Sequence, residues 1–240
     1  MIHDALNICW TSPDNGIPVP RTALGIRESV QLWKKSMPEL VWNTLAGFEN
    51  NPSTLPQTET ILQGYSVNGL RIDEMLQVKR FADACRELGS MVLNGTFNLS
   101  QETACLLHGI LAEDEALEWG VLRKGSVGIR LVDYTPPSGD DLPALAERGF
   151  TALKSIQNPC ERAFITFLWM ARTQLFYDCN KRTALLMMNG CLLSEGFLPF
   201  AFLKGDIEAF NNHLRAFYNS GDATGMLAYI HETCLKIYVF

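Results

Sequence analysis

Residues 174 to 184 constrain this chain most, because four polar groups of complementary chemistry fall within five consecutive positions. Asp178 is a carboxylate, Asn180 an amide, and Lys181 and Arg182 are cations. Strongly helical runs precede and follow the cluster, which predicts a short loop that opens onto a helix N-terminus. Free backbone N–H groups and the helix dipole favour an anion there. A carboxylate for a metal beside cations for phosphate indicates a Mg²⁺–nucleotide site.

The composition is that of an ordinary soluble globular protein, with 240 residues, 47% hydrophobic and 19% charged. A net charge of −6 argues against a nucleic-acid partner, because no basic excess is available to neutralise a phosphate backbone. Seven scattered cysteines predict free thiols in a reducing compartment. No signal peptide or membrane span is expected, since the most apolar stretch, 183–193, is too short. We therefore expect a cytoplasmic protein with no membrane partner.

Helical periodicity and capping residues dominate the chain, which predicts the all-α class. A helix starting at Thr22 is expected to end near Met37, and Pro38 to begin a second one ending near residue 48. Alternating apolar residues interleaved with glycines predict one β-hairpin over about 119–135. The remaining predicted helices cover about 53–64, 72–93, 103–111, 140–156, 158–173, 180–195, 206–218 and 222–238.

The central cluster resembles the Fic/Doc (Fido) family, whose signature is His-x-Phe-x-(Asp/Glu)-Gly-Asn-(Gly/Lys)-Arg between two helices. Five residues match that signature in order and spacing: Phe176, Asp178, Asn180, Lys181 and Arg182. Leu107-His108, the segment 134–137 and Ser220-Gly221-Asp222 also look like this family. The resemblance covers roughly residues 55–235.

The resemblance implies a Fic-type helical bundle with one β-hairpin flap. Residues 1–54 would form an N-terminal arm and helices, and 55–240 the Fic-like domain, with its motif at 174–184 and its flap at about 119–135. The implied activity is protein adenylyltransferase chemistry, in which AMP passes from Mg-ATP to a protein hydroxyl.

The family also assigns roles and partners to this chain. Asp178 would hold Mg²⁺, while Cys179, Asn180, Lys181 and Arg182 would lie against the phosphates of ATP or another nucleotide. A target protein would dock on the hairpin flap by strand-like pairing. Family members often self-associate, so a homodimer is a further candidate assembly.

Gln174 stands at the position of the motif histidine. A neutral imidazole acts as a general base near pH 7 and contributes about 10²–10⁴-fold in rate, whereas an amide only orients a hydroxyl by a hydrogen bond. We expect transfer to be severely impaired.

Cys179 replaces the motif glycine, which makes the site somewhat similar to that of Doc proteins, kinases that bear alanine there. Gln63 stands where an inhibitory glutamate of the family would lie, and Glu59 replaces the Ser/Thr four residues earlier. Leu185 replaces the second motif arginine, which pairs with that glutamate. The usual salt-bridge inhibition is therefore expected to be absent.

Three functions remain open at this point: an impaired adenylyltransferase, a nucleotide- or partner-binding pseudoenzyme, and a Doc-like protein kinase. His108 lies on an apolar helix face and is expected to be structural. The acidic run 113–115 is expected to be a solvated loop.

Overall fold

The chain folds as a helical bundle in a computed structural model that describes residues 2–14 and 16–238. Nine α-helices occur in these residues, and the all-α prediction is confirmed. Two short antiparallel strands near the N-terminus, β1 (Ile2–His3) and β2 (Ile8–Cys9), form the only sheet of the described part. The helices are α1 (Ile26–Phe48), α2 (Leu55–Leu62), α3 (Ile72–Leu93), α4 (Gln101–Leu111), α5 (Leu142–Ser155), α6 (Pro159–Thr173), α7 (Asn180–Ser194), α8 (Ile207–Ser220) and α9 (Thr224–Ile237).

Helices α6 and α7 form the centre of the bundle. They are apolar on nearly every side and correspondingly buried, which the sequence of α7 predicts because a helix without a polar face needs neighbours all round. Asn189, an amide in the apolar middle of α7, bonds to Leu185 O at 3.0 Å and to both backbone groups of Phe200. Its polarity is thereby satisfied inside the core. Helices α1, α3 and α4 pack against α7, so the motif that begins α7 is anchored to the core.

Two predicted helix starts are confirmed by their capping bonds. The Gln57 N–H donates to Thr54 Oγ1 and the Gln57 side chain accepts from the Thr54 N–H, a capping box at the start of α2. Ser100 Oγ accepts from the Thr103 N–H and caps α4. Local sequence therefore sets where these helices begin.

The predicted break at Pro38 is wrong, since α1 is one helix with Pro38 inside it. Proline in a helix costs about 3 kcal/mol. Here Trp33, Leu40, Val41 and Leu45 are nearly fully buried along α1, and large buried side chains stabilise by about 1.5–3 kcal/mol each. That burial outweighs the lost hydrogen bond.

The helix also starts later than predicted. Gly25 is the N-cap of α1, and the Thr22 hydroxyl instead donates to Gly25 O at 2.8 Å.

The segment 119–135 contains no strand, which corrects the predicted β-hairpin to an open loop. No backbone–backbone hydrogen bond joins the two halves of this fully described stretch. Its N–H groups donate elsewhere, such as Arg123 to Leu175 O at 3.1 Å, Gly125 to the Tyr177 hydroxyl at 2.8 Å and Asp133 to Asn219 Oδ1 at 2.9 Å. Because these partners lie on other elements, the loop follows the motif rather than pairing with itself. The alternation of apolar residues in this segment therefore does not produce a β-sheet.

Membrane spans and the domain boundary are the remaining features of the fold. No helix within the described ranges is both long and apolar enough to cross a membrane. The boundary between 1–54 and 55–240 stays a prediction, and α1, which lies on its N-terminal side, packs against α3 and α7.

Candidate functional site

The motif loop is bounded by two residues in the left-handed region. Gln174 (φ 52°) ends α6, and Cys179 (φ 59°) precedes α7 as its N-cap. Left-handed backbone favours glycine, which explains why the family has glycine at the position of Cys179. No side chain caps α7, so its first N–H groups face the loop without a capping oxygen. The predicted helix N-terminus lies where the sequence places it.

Asn180 organises the loop from inside. Its Oδ1 accepts from the Phe176 N–H at 2.9 Å, and its Nδ2 donates to Phe176 O at 2.8 Å and to Gln174 Oε1 at 3.1 Å. The side chain is buried. Asn180 therefore fixes the loop geometry, whatever else it binds.

The amide of Gln174 has an internal partner at each end. Oε1 accepts from Asn180, and Nε2 donates to Ala171 O at 2.6 Å. Each end of the amide keeps one further hydrogen-bonding position, so it could orient a hydroxyl, although it could not accept the proton of that hydroxyl. In this structure Gln174 fixes the loop.

His108, on α4, packs against the buried side of the motif loop. Its ring stacks on Phe176, with 3.8 Å between ring centroids and an interplanar angle of 8°, and both side chains are fully buried. The Gly120 N–H donates to Nδ1 at 3.0 Å, so the ring proton is on Nε2, which donates to Asp178 O at 3.2 Å. Burial lowers the pKa of His108 to about 4. The ring is a neutral structural bridge, as the sequence predicts.

Asp178 is the exposed member of the loop. Its Oδ1 accepts from the Cys179 N–H at 2.6 Å, and it forms no ion pair with the described residues. One carboxylate without a cationic partner suits Mg²⁺, which proteins commonly bind through one or two carboxylates together with substrate phosphates. No group of three or more His, Cys, Asp or Glu side chains in the described ranges could hold a metal alone.

Arg182 is closed off by two carboxylates and is only 1% exposed. Its Nη1 and Nη2 donate to the two oxygens of Glu115 at 3.1 and 2.7 Å. Its Nε lies 3.1 Å from Glu49 Oε1, an ion-pair contact whose angle falls outside hydrogen-bond geometry. Burial acts against the charge of Arg182, but Glu49 and Glu115 outweigh it and hold its pKa above the ordinary value.

Sequence reasoning missed both carboxylates. The expectation that 113–115 is simply solvated is wrong for Glu115, which is half-buried against Arg182, although Glu113 and Asp114 do lie at the surface with Arg80. Glu49 follows the last residue of α1. One signal was available, because a buried arginine in a largely apolar helix needs an acidic partner. The sequence alone does not identify which acidic residue that partner is.

Lys181 and Cys179 face inward rather than into the loop mouth. Lys181 Nζ donates to Phe48 O at 3.3 Å and lies 4.9 Å from the Phe48 ring centre, and burial lowers its pKa. Cys179 is 2% exposed, Arg182 Nη2 lies 2.9 Å from its Sγ, and burial raises the pKa of the thiol. Burial therefore favours the neutral thiol over the thiolate at Cys179.

Gln63 and Leu185, the two residues of the regulatory prediction, are not joined to each other in the structure by a side-chain bond between described residues. Gln63 is exposed at the end of α2, and no hydrogen bond or ion pair of the described residues joins it to the motif. Leu185 is fully buried in α7. Gln63 as a regulatory residue stays a prediction.

Arg123 ties the loop 119–137 to the motif. Its guanidinium donates to the carbonyl oxygens of Gln174, Gly125 and Pro137 at 2.6, 2.7 and 2.6 Å. The residue is 1% exposed, and burial lowers its pKa. No acidic partner is among these contacts. The sequence did not single out Arg123, because carbonyl partners leave no pattern.

Comparisons with known proteins agree with this architecture. The sequence model of the Fic/DOC family matches residues 98–192, from the start of α4 to the end of α7. A relative named protein adenylyltransferase Fic, from Drosophila mojavensis, is 25% identical over 195 residues, covering 79% of this chain and 38% of the relative. The chain thus spans about two fifths of the length of the curated relatives it matches.

Solved structures share the fold. A Fic domain containing signaling protein from Bacteroides thetaiotaomicron superposes with a TM-score of 0.71 at 18% identity, covering 90% of this chain and 89% of that one. Fic-1 from C. elegans gives a TM-score of 0.70 at 21% identity, covering 88% and 69%. At these identities the likeness concerns the fold.

Proposed function

Since the chain carries a Fic/DOC-family domain, we propose that it is a protein adenylyltransferase-like domain whose transfer chemistry is severely impaired. The substrate class is Mg-ATP, and the acceptor is a hydroxyl of a protein. The name of the Drosophila mojavensis relative supports the reaction class. The observation that carries the impairment is the amide of Gln174, which has internal partners at both ends.

The reaction needs a base at this position. The acceptor oxygen forms a bond to the α-phosphorus, the bond from that phosphorus to the bridging oxygen breaks, pyrophosphate leaves, and the hydroxyl proton must go to a base. The Gln174 amide cannot take that proton at neutral pH. Loss of a general base typically costs about 10²–10⁴-fold in rate.

The binding side of the site fits a Mg-nucleotide in part. Asp178 is exposed and forms no ion pair with a cation among the described residues, so it would hold the metal, which when bound neutralises phosphate charge. The uncapped N-terminus of α7 would receive a phosphate. Arg182 fits only after it leaves Glu49 and Glu115.

The target protein would dock on the loop 119–135, which lies next to the motif. Three of its apolar side chains are exposed, Trp119 by 43%, Val121 by 46% and Leu131 by 69%. A target segment could form main-chain hydrogen bonds with the backbone groups of this loop that are not used within the protein.

A second candidate is a pseudoenzyme that binds a nucleotide or a partner without transfer. The enclosed guanidinium of Arg182 favours it, because that group is unavailable to phosphate in this conformation.

The test is restoration of the base by Gln174→His. Histidine tolerates left-handed backbone better than most residues, so the substitution suits φ 52°. With ATP labelled at the α-phosphate, we expect self-labelling or release of AMP to rise about 10²-fold or more over the unmodified chain. AMP release needs no knowledge of the target.

Two controls define the result. Gln174→Ala removes the same amide without adding a base and should give no gain, and Asp178→Ala in the Gln174→His background should abolish it. Equal rates for Gln174→His and Gln174→Ala would contradict the impairment hypothesis. The pseudoenzyme would then be the remaining candidate function. Label transferred from the γ-phosphate instead would identify a Doc-like kinase.

A further inference from the structure

We propose that Glu49 and Glu115 occupy Arg182 in place of a phosphate, so that nucleotide phosphates bind fully only when this carboxylate clamp opens. The clamp is defined as Glu49, Glu115 and Arg182. The inference deepens the proposed function and rests on it, because it concerns the same nucleotide site.

Most of the polar contacts of Arg182 lie within the protein. Three of the five N–H groups of its guanidinium donate hydrogen bonds, two to Glu115 and one to Cys179 Sγ. Nε lies 3.1 Å from Glu49 Oε1 in an ion pair without a hydrogen bond. Because the side chain is 1% exposed, a phosphate has no access to the guanidinium until a carboxylate moves.

Glu115 holds the guanidinium in the geometry that phosphate would use. Carboxylate and phosphate both accept the paired N–H groups of arginine side by side, so the two ligands compete for one fork. Glu115 is itself fixed, since Gln77 Nε2 on α3 donates to its Oε2 at 2.8 Å. Burial raises the pKa of Glu115, but the hydrogen bonds from Arg182 and Gln77 have the larger combined effect. The pKa therefore lies below its ordinary value, and the carboxylate stays charged.

The clamp joins three elements of the fold. Two carboxylates surround one guanidinium, and they come from separate elements: Glu49 follows α1, and Glu115 lies in the segment after α4. Neither belongs to α2, where Gln63 lies. A phosphate approaching the start of α7 therefore meets an arginine that two carboxylates already occupy.

Opening the clamp is tested with the double variant Glu49→Gln/Glu115→Gln, which keeps size and hydrogen-bonding capacity but removes both charges. Calorimetric titration with Mg-ATP, and separately with inorganic tripolyphosphate, should give binding at least about 10-fold tighter than in the unmodified chain, within the range of typical coupling. Adding Arg182→Met should remove the gain, because the fork is then lost.

A matched control lies in the same acidic run. Glu113→Gln/Asp114→Asn makes the same change in net charge, but these residues pair with Arg80 and are 56% and 70% exposed. This control should leave binding within about twofold of the unmodified chain, because exposed charges are screened by salt. An equal gain in both double variants would show a general charge effect and overturn the clamp.

Remaining outcomes separate the clamp from the proposed function. If the unmodified chain binds Mg-ATP in an Asp178-dependent way and Glu49→Gln/Glu115→Gln binds no tighter, the clamp is rejected and the nucleotide site stands. If no variant binds Mg-ATP or tripolyphosphate, although each retains a cooperative unfolding transition, both proposals are rejected.

Discussion

Acid should destabilise this protein through His108, the neutral ring beneath the motif loop. In the folded state burial lowers its pKa to about 4, whereas in the unfolded chain it returns to the ordinary value of 6.5. Between these values the unfolded state binds the proton and the folded state does not. Stability is therefore fully present above pH 6.5 and is lost as pH falls towards 4.

The size of the effect follows from the difference in pKa. A shift of about 2.5 units at about 1.36 kcal/mol per unit gives a total of about 3.4 kcal/mol. Linkage places about 2 kcal/mol of that loss between pH 7 and pH 5. With a urea m-value of about 2–3 kcal/mol/M, the unfolding midpoint should fall by about 0.7–1.0 M over this interval from His108 alone.

Urea unfolding at pH 7, 6 and 5 measures the slope, and His108→Gln isolates the contribution of this residue. The variant loses stability at pH 7 because the stack on Phe176 is removed, but its slope should be shallower by the amount given above. Phe176→Leu is the matched control, since it weakens the same stack and leaves the titrating group in place. It should keep the steep slope at lower stability.

Two results would refute the reasoning. One is an equal pH slope for His108→Gln and the unmodified protein. The other is an NMR titration in which the His108 ring in the folded protein changes protonation near pH 6.5, which would mean that burial and the bonds to Gly120 and Asp178 do not keep it neutral.

The remaining predictions concern packing. Arg123→Met removes donors from three carbonyl groups, so amide exchange across 119–137 should accelerate in mass-spectrometric measurements and stability should fall by about 3 kcal/mol. Unchanged exchange would contradict the role of Arg123. Gly149→Ala would bring a Cβ to 2.0 Å from Trp169 Cζ2, so the free energy of unfolding should fall by about 1–3 kcal/mol in urea. Gly205→Ala has open space and should change stability by less than about 0.5 kcal/mol.

Much of the fold could be predicted because its signals are local. Periodicity identified helices such as α3 with the bounds 72–93 that the structure has, and capping residues such as Ser100 marked the starts. The apolar run of α7 predicted a central helix. Pro38 misled the prediction because its cost is local, whereas the burial that offsets it depends on other helices.

For the site too, local features could be predicted from the sequence and contacts with distant segments could not. The motif order from Phe176 to Arg182 predicted the loop and the helix N-terminus, whereas the exposure of Asp178 is known only from the structure. The loop 119–135 was expected to pair with itself, but its N–H groups bond to Leu175, Tyr177 and Asn219, which lie much later in the sequence. Sequence alternation does not identify such partners.

By itself, the sequence determined an all-α protein with a Fic-type motif, and it predicted that Gln174 stands at the position of the motif histidine. Only the tertiary structure decided what the motif residues contact. Gln174 and Asn180 bond to each other, while Glu115 and Glu49, 67 and 133 residues before Arg182 in the sequence, enclose its guanidinium. The physical reason is that residue type and spacing fix local backbone and side-chain chemistry, whereas ion pairs and buried hydrogen bonds depend on which distant segments packing brings together.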